Sequence, residues 1–395
     1  MSKTILSKFD EFLLSNFILI ILASEFFTKI LILSENLPYR VSTFVKLGLG
    51  LYLFFYIYKK NLWWHKILKF LYFLTIIFIV GQLFFLFKNN TSKTDLLNNL
   101  FTFSTYIFLP LFVVCVENEK THEIVLRNVI SIKVAAFINL PIILFSLIVP
   151  FEIFRSYPLT DRFGFNGFLG FSSSASFFYI AIIIIFFGTY YINKSKKNLI
   201  FLILHTFISI LVGTKTIWFF LLLVAISYFC FLIKNPLKSF FRFLFLIGII
   251  FFLSFREKIE LFIVSIFSFA ERYYNEYGFL TVILSTRDLY FKQVYNYYIS
   301  NFSLPTFLFG GINVIKIRVE FEFINMFVFF GLFGTLVYLL IIRYIFYKTQ
   351  QKPIKTTIFV ALIITCALSG GFFYSVFSAC LFYLAYRYLD YIKQE

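Results

Sequence analysis

From end to end the chain is a succession of long apolar runs separated by short polar turns. The runs fall at about 12–33, 43–58, 67–87, 100–116, 129–149, 175–191, 199–212, 217–233, 240–255, 323–346, 357–373 and 375–389. Each approaches or exceeds the length a helix needs to cross a hydrocarbon layer, the shortest at the lower limit. None alternates apolar and polar residues as a barrel strand does. Lipid also forbids unpaired backbone, which helices satisfy internally. The last two runs are parted only by Ser369-Gly370-Gly371. The pattern predicts an all-α, polytopic integral membrane protein with about twelve transmembrane helices in a single membrane domain, residues 1–395. Two polar stretches interrupt it: a smaller loop at 150–174 and a large one at 256–322, between the ninth and tenth helices. Within the large loop, 259–269 is apolar but too short to span, which suits an interfacial or re-entrant segment. The first run follows Lys3 and Lys8 without a small-residue cleavage site, so it is expected to stay as the first helix.

Composition supports a lipid solvent: 61% of the 395 residues are hydrophobic, 14% are charged, and the mean hydropathy is +0.88. The net charge of +17 raises nucleic-acid binding, but the placement of the charges argues against it. Counted over alternate turns, one side receives Lys3, Lys8, Lys59, Lys60, Lys66, Lys69, Lys120, Arg127, Lys194, Lys196 and Lys197. The same side continues with Lys234, Lys238, Arg242, Arg343, Lys348, Lys352, Lys355, Arg387 and Lys393. The short turns of the other side hold only Arg40, Lys88, Lys93, Arg155, Arg162 and Lys215. A ratio of 20 to 6 is the positive-inside bias of a membrane protein, and with an even helix count it puts both termini in the cytoplasm. The large loop carries seven basic residues of its own, which a long translocated segment does without breaking the rule. Glu25, Lys29, Lys46 and Lys133 are the charges left inside the runs. The four cysteines also sit inside runs, with no Cys-x-x-Cys, so neither a disulfide framework nor a metal site is expected. No internal repeat is visible, against the inverted-repeat transporters.

Candidate chemistry lies on the outward side. Asp161-Arg162-Phe163-Gly164-Phe165-Asn166-Gly167 sets a charged pair in a glycine-punctuated turn; its structural reading is an ordinary loop with a snorkelling arginine. Gly213-Thr214-Lys215-Thr216 joins two apolar runs almost without a loop. A lysine there, beside helix amides, suits a phosphate, or it reaches for lipid headgroups. Ser285-Thr286-Arg287-Asp288 lies in the large loop before Tyr290, Tyr295, Tyr297 and Tyr298. The arginine offers a planar fork for phosphate and the tyrosines offer stacking faces, or Arg287 and Asp288 form a local pair. Arg318-Val319-Glu320-Phe321-Glu322-Phe323 brings two carboxylates to a membrane boundary just ahead of Gly331 and Gly334; solvated rim carboxylates are the plainer reading. Neither outward loop contains a histidine, since His65 and His122 fall in cytoplasmic turns and His205 in a helix.

In architecture and in the order of these motifs the chain resembles the polymerases of O-antigen and capsule repeat units, with the related O-antigen ligases. Arg162-Phe163-Gly164 with Asn166-Gly167 is similar to the family's Arg–Gly turn, Gly213-Thr214-Lys215-Thr216 to its Gly-Ser/Thr-Arg/Lys junction, and Thr286-Arg287 to its large-loop arginine. Glu320-Phe321-Glu322-Phe323 before Gly331-Leu332-Phe333-Gly334 resembles the lead-in to its Gly-x-x-Gly helix. Ligases resemble one another in a histidine in that lead-in; glutamate stands there here, which favours a polymerase. The resemblance implies a protein of the bacterial inner membrane with 150–174 and 256–322 in the periplasm. It implies transfer of a glycan from undecaprenyl pyrophosphate to an acceptor hydroxyl, with no metal and no cofactor. Donor and acceptor glycans on undecaprenyl pyrophosphate, membrane lipid and a chain-length regulator protein are the implied partners. The site residues implied are Arg162, Lys215, Arg287 and Arg318 for the pyrophosphate and Glu320 or Glu322 as base, with Asp161 and Asp288 in reserve. A ligase, or a flippase of the same lipid-linked sugar, is the alternative.

The charge bias predicts that an alkaline phosphatase fusion at Lys196 is inactive and a β-galactosidase fusion there active, with the reverse after Arg287. Strong phosphatase activity at Lys196 overturns the topology.

Overall fold

The computed structural model describes residues 3–35, 40–89, 93–158, 160, 162–229, 268–312, 319–347 and 353–392, with isolated positions 240, 247, 254 and 258. Among these the chain is helical throughout, apart from turns and one antiparallel bridge between Arg155 and Phe165. The first nine helices are α1 (Lys3–Ser15), α2 (Phe17–Glu35), α3 (Val41–Lys59), α4 (Lys66–Asn89), α5 (Lys93–Asn118), α6 (Thr121–Ile148), α7 (Ser172–Ile192), α8 (Lys196–Leu211) and α9 (Lys215–Ser227). The large loop contributes α10 (Ser268–Tyr277), α11 (Phe279–Leu284), α12 (Arg287–Ser300) and α13 (Leu304–Phe309). The chain ends with α14 (Glu322–Tyr347), α15 (Pro353–Ser369) and α16 (Val376–Tyr391).

Six helices among the described residues, α3, α4, α5, α6, α7 and α14, are long and apolar enough to cross a membrane, and the bent pair α1–α2 raises this to seven. Of the twelve runs read from sequence, the one at 240–255 lies outside the described residues but for isolated positions, and the other eleven fall on helices. Four of those, α8, α9, α15 and α16, have 13 to 17 residues and stop short of the length test for a full span. The large loop is itself helical where it is described.

Burial sorts the helices. The spanning window of α7 is 78% buried and that of α5 72%, against 22% for α3. A helix apolar on every side has no solvent face to present. In α7 the consecutive residues from Ala175 to Gly188 are all buried, packed against α16, α8 and α9. On α3, by contrast, Phe44, Phe55 and Tyr58 stay exposed in the protein alone, as a lipid-facing helix requires.

The sequence pattern treats 12–33 as one helix, but the chain bends there by 56° at Asn16. Asn128 of α6 supplies the cause. Its amide donates to Leu14 O at 2.8 Å and its carbonyl accepts from Ile18 N at 3.2 Å, so one buried side chain serves backbone groups on both sides of the break. Ion pairs tie helices together among residues that the charge count puts on one side: Lys59 with Asp10 at 2.9 Å, Arg127 with Glu11 at 2.9 Å and Lys355 with Asp390 at 2.6 Å.

A second break lies in α14 at Gly331, with φ 66° and ψ −171°, a conformation that L side chains do not tolerate. The C-terminal end of α13 docks into this notch: Gly311 N donates to Phe329 O at 2.9 Å. A Cβ on Gly331 would lie 2.4 Å from Gly310 N. Asn99 of α5 closes the arrangement by donating to Gly311 O at 3.1 Å and to Gln82 Oε1 at 2.8 Å. Gly331→Ala is therefore expected to destabilise the protein by about 3 kcal/mol, seen as a clear fall in the melting temperature of the detergent-solubilised protein. Gly48→Ala, on a helical glycine with nothing within 4 Å of a built Cβ, leaves the melting temperature unchanged or slightly raised. Equal effects of the two refute the notch argument.

Candidate functional site

The loop between α6 and α7 dips among the helices, and buried polar side chains make this possible. Lys29, on α2 and 2% exposed, donates to Asn166 Oδ1 at 2.7 Å, Leu169 O at 3.2 Å and Gly167 O at 3.4 Å. Asn139 of α6 donates to Asn166 O at 3.0 Å and accepts from Phe168 N at 2.9 Å. Asn166 in turn donates to Gly170 O at 2.7 Å. Backbone that leaves helical geometry inside a bundle needs such partners.

The same loop then docks on the α8–α9 junction. Phe165 N donates to Leu211 O at 2.9 Å and Ser156 Oγ to Val212 O at 2.8 Å. Gly164 and Gly213 face each other across this contact. A Cβ on Gly164 would stand 2.4 Å from Val212 O, and one on Gly213 2.4 Å from Phe163 O. Two glycines at positive φ let the backbones meet, and that meeting brings Arg162 and Lys215, far apart in sequence, to one place.

Arg162 packs its guanidinium over the Tyr157 ring at 4.0 Å. Lys215, the first residue of α9, donates to Val282 O at 2.5 Å and Ile283 O at 3.5 Å, the last carbonyls of α11. Arg287 opens α12 after Ser285 and Thr286, both left-handed at φ 53° and 68°. Such conformations at non-glycine residues, above all at a β-branched threonine, are held only by surrounding structure and gather at functional sites. Arg287 Nε and Nη2 both donate to Glu320 Oε2, at 2.8 and 2.6 Å, and Nη1 donates to Leu368 O at 3.0 Å.

Arg162, Lys215, Arg287 and Glu320 line one cavity of about 970 Å³. Its polar wall also includes Tyr157, Ser172 to Ser174, Thr214, Tyr290, Tyr374, Arg40 and the pair Glu25–Lys46. Its apolar wall runs between α3 and α5 along Leu47, Gly50, Leu51, Phe54, Phe101, Phe108 and Leu111. Charge crowds one end. Lys215 is pushed down to about 8, first by burial and then by repulsion from Arg162 and Arg287. Three cations from three separate segments, gathered where each resists the others, make a seat for a multivalent anion.

Of the other residues singled out in the sequence, Asp161 and Arg318 lie outside the described residues. Glu322 does not line the cavity: fully buried, it accepts from the amides of Phe372 (3.0 Å), Phe373 (2.9 Å) and Tyr374 (3.1 Å). It thereby fixes the turn between α15 and α16 that forms part of the cavity wall. Asp288 is bound to Thr281 and shapes the turn ahead of α12 without lining the cavity. Of the four tyrosines, only Tyr290 reaches the wall. The sequence reading passed over Glu25, Lys46, Arg40 and the serines of α7. Glu25 and Lys46 carried a signal nonetheless, as charges inside apolar runs.

The lowered Lys215 predicts a pH dependence. Its ammonium is charged below about 8 and loses its charge as pH rises through that value, so affinity for an isoprenyl pyrophosphate falls between pH 7 and 9. Lys215→Arg keeps the charge and flattens the fall; isothermal titration on nanodisc-embedded protein distinguishes the two. A wild-type profile as flat as that of Lys215→Arg removes Lys215 from the anion site.

No protein-family model, curated protein or solved structure matches the chain.

Proposed function

We propose that this protein polymerises glycan repeat units carried on undecaprenyl pyrophosphate at the periplasmic face of the bacterial inner membrane. The carrying observation is the lining of one cavity of about 970 Å³. Arg162, Lys215 and Arg287 gather at its polar end, and an apolar wall descends between α3 and α5. A ligand that fits both ends is a lipid with a strongly anionic headgroup, and a lipid pyrophosphate is such a molecule.

In the proposed reaction an acceptor sugar hydroxyl attacks the anomeric carbon of the donor glycan, and the bond to pyrophosphate breaks. Negative charge builds on the leaving pyrophosphate, where two guanidinium groups and an ammonium stabilise it most as the bond opens. Arg287 serves as the planar fork. Glu320 holds that fork before substrate arrives, and the pyrophosphate takes its place. Since Glu320 occupies the place on the guanidinium that the leaving group takes, it sits on the leaving-group side. That placement suits a positioning group better than the base that an in-line displacement needs on the opposite face. Glu322, bound to three amides, suits a structural role.

The polymerase is preferred over the ligase because no histidine lines the cavity and His205, in α8, is enclosed by Phe137 and Phe186. Deletion of the gene separates the readings on a gel of surface glycan. Loss of a polymerase leaves single-repeat glycan, loss of a ligase leaves bare lipid core, and loss of a flippase traps substrate inside. In the deletion strain, Arg287→Ala is expected to cut polymer formation by roughly 100-fold or more at normal protein level, and Arg287→Lys by about 10-fold, since charge survives but the fork does not. Full-length polymer from Arg287→Ala removes Arg287 from the site.

A further inference from the structure

Two buried charges stand one turn apart on α2, and the fold treats them differently. Lys29 is surrounded by three oxygen acceptors and serves as a tie for the loop below it. Glu25, 7% exposed, is only half satisfied. Its Oε1 accepts from Lys46 Nζ at 2.8 Å, while Oε2 is buried with no hydrogen-bond partner among the described residues. Leaving a buried carboxylate oxygen without a donor is unfavourable.

Position supplies the reason. Glu25 and Lys46 both line the cavity that holds the cationic site, but they come from α2 and α3, elements that carry none of the three cations. Beside Glu25 the chain has Gly170, whose built Cβ would lie 3.0 Å from Oε2. Gly170 has no positive φ to explain its choice; its missing side chain lets the Glu25 carboxylate pack closely against the loop. The cavity also needs a carboxylate away from the pyrophosphate, because Glu320 is bound to Arg287 and Glu322 to the backbone.

We propose that Glu25 is the catalytic base, with Lys46 as its counter-charge; the inference rests on the glycosyl-transfer reading above. The acceptor hydroxyl donates its hydrogen bond to the Glu25 carboxylate where it borders the cavity, beside Lys46. The hydroxyl oxygen forms the new bond to the anomeric carbon of the donor. The bond from that carbon to the pyrophosphate oxygen breaks, its electron pair leaving on the pyrophosphate held by Arg162, Lys215 and Arg287. The hydroxyl proton passes to Glu25 and from there to water in the open cavity. Lys46 Nζ, 2.8 Å from Oε1, stands beside the carboxylate as its counter-charge.

The test uses the full-length protein in the deletion strain, with its level measured by immunoblot, and the same variants purified into lipid nanodiscs. Glu25→Gln keeps shape and hydrogen bonding but cannot take the proton. It is expected to lower polymer formation by about 100-fold or more and to leave affinity for undecaprenyl pyrophosphate within about twofold of wild type. Because Glu25→Gln leaves the half-buried Lys46 without a counter-charge, the double variant Glu25→Gln with Lys46→Met is the control for folding. It is expected to reach wild-type protein level, to bind undecaprenyl pyrophosphate, and to remain inactive. Polymer restored by the double variant shows that the pair is structural and overturns the proposal. So does wild-type polymer from Glu25→Gln in a strain where deletion abolishes polymer, and so does a tenfold loss of undecaprenyl pyrophosphate affinity in both variants. An unchanged glycan ladder in the deletion strain sinks the transfer reading itself, and Glu25 with it.

Discussion

The Lys29 ammonium, buried in α2 and bonded to Asn166, Gly167 and Leu169, lets a loop enter a helical bundle. In a lipid-facing protein irregular backbone is admissible only where protein groups satisfy it, and each unsatisfied amide or carbonyl costs several kcal/mol. Lys29, Asn139 and Asn166 meet that demand together. One half of the candidate site follows from the loop being held there. Gly164 reaches Gly213, Arg162 reaches Lys215, and Gly170 comes to rest beside Glu25. Without the tie, the segment from Ser156 to Gly170 has no reason to leave the surface.

The other half of the site is assembled by a similar device, with a carboxylate as the tie. Glu322 gathers three amides of the α15–α16 turn, and Asn325 binds Val319, so the strand-like lead into α14 is fixed on both sides. Glu320 is thereby aimed at Arg287, whose own approach is set by two left-handed residues. Lys29 and Glu322, held by several partners each, thus build the walls, while Glu25, with one unpaired oxygen, and Lys215, with repelling neighbours, line the space between them.

The two classes of charge also divide the mechanical from the chemical. Lys59–Asp10 and Lys355–Asp390, each with a buried partner, join helices away from the cavity. Arg287–Glu320 lies on the cavity wall, where an incoming anion competes with the carboxylate for the guanidinium. An ion pair is exchangeable in this way only if one partner is open to solvent, and Glu320, with 62% of its side chain exposed, meets that condition.

By itself the sequence determined the solvent and the elements. Apolar runs of spanning length and the absence of period-two alternation dictate helices in lipid, because backbone there must bond internally. It also singled out Arg162, Lys215, Arg287 and Glu320, since charged or glycine-flanked residues stand out against an apolar background. What it did not contain was the pairing of distant turns. That Gly164 meets Gly213 depends on side-chain hydrogen bonds spanning more than a hundred residues, from Lys29 to Asn166, which leave no periodic trace in the chain. The same holds for the two glutamates of Glu320-Phe321-Glu322, alike in sequence. One lies on the cavity wall and the other inside the protein, because the turn into α14 sends adjacent side chains to different surroundings. Glu25 was legible as a charge in an apolar run, but only the tertiary structure left one of its oxygens unpaired, since whether a buried group is satisfied is decided by its neighbours in space.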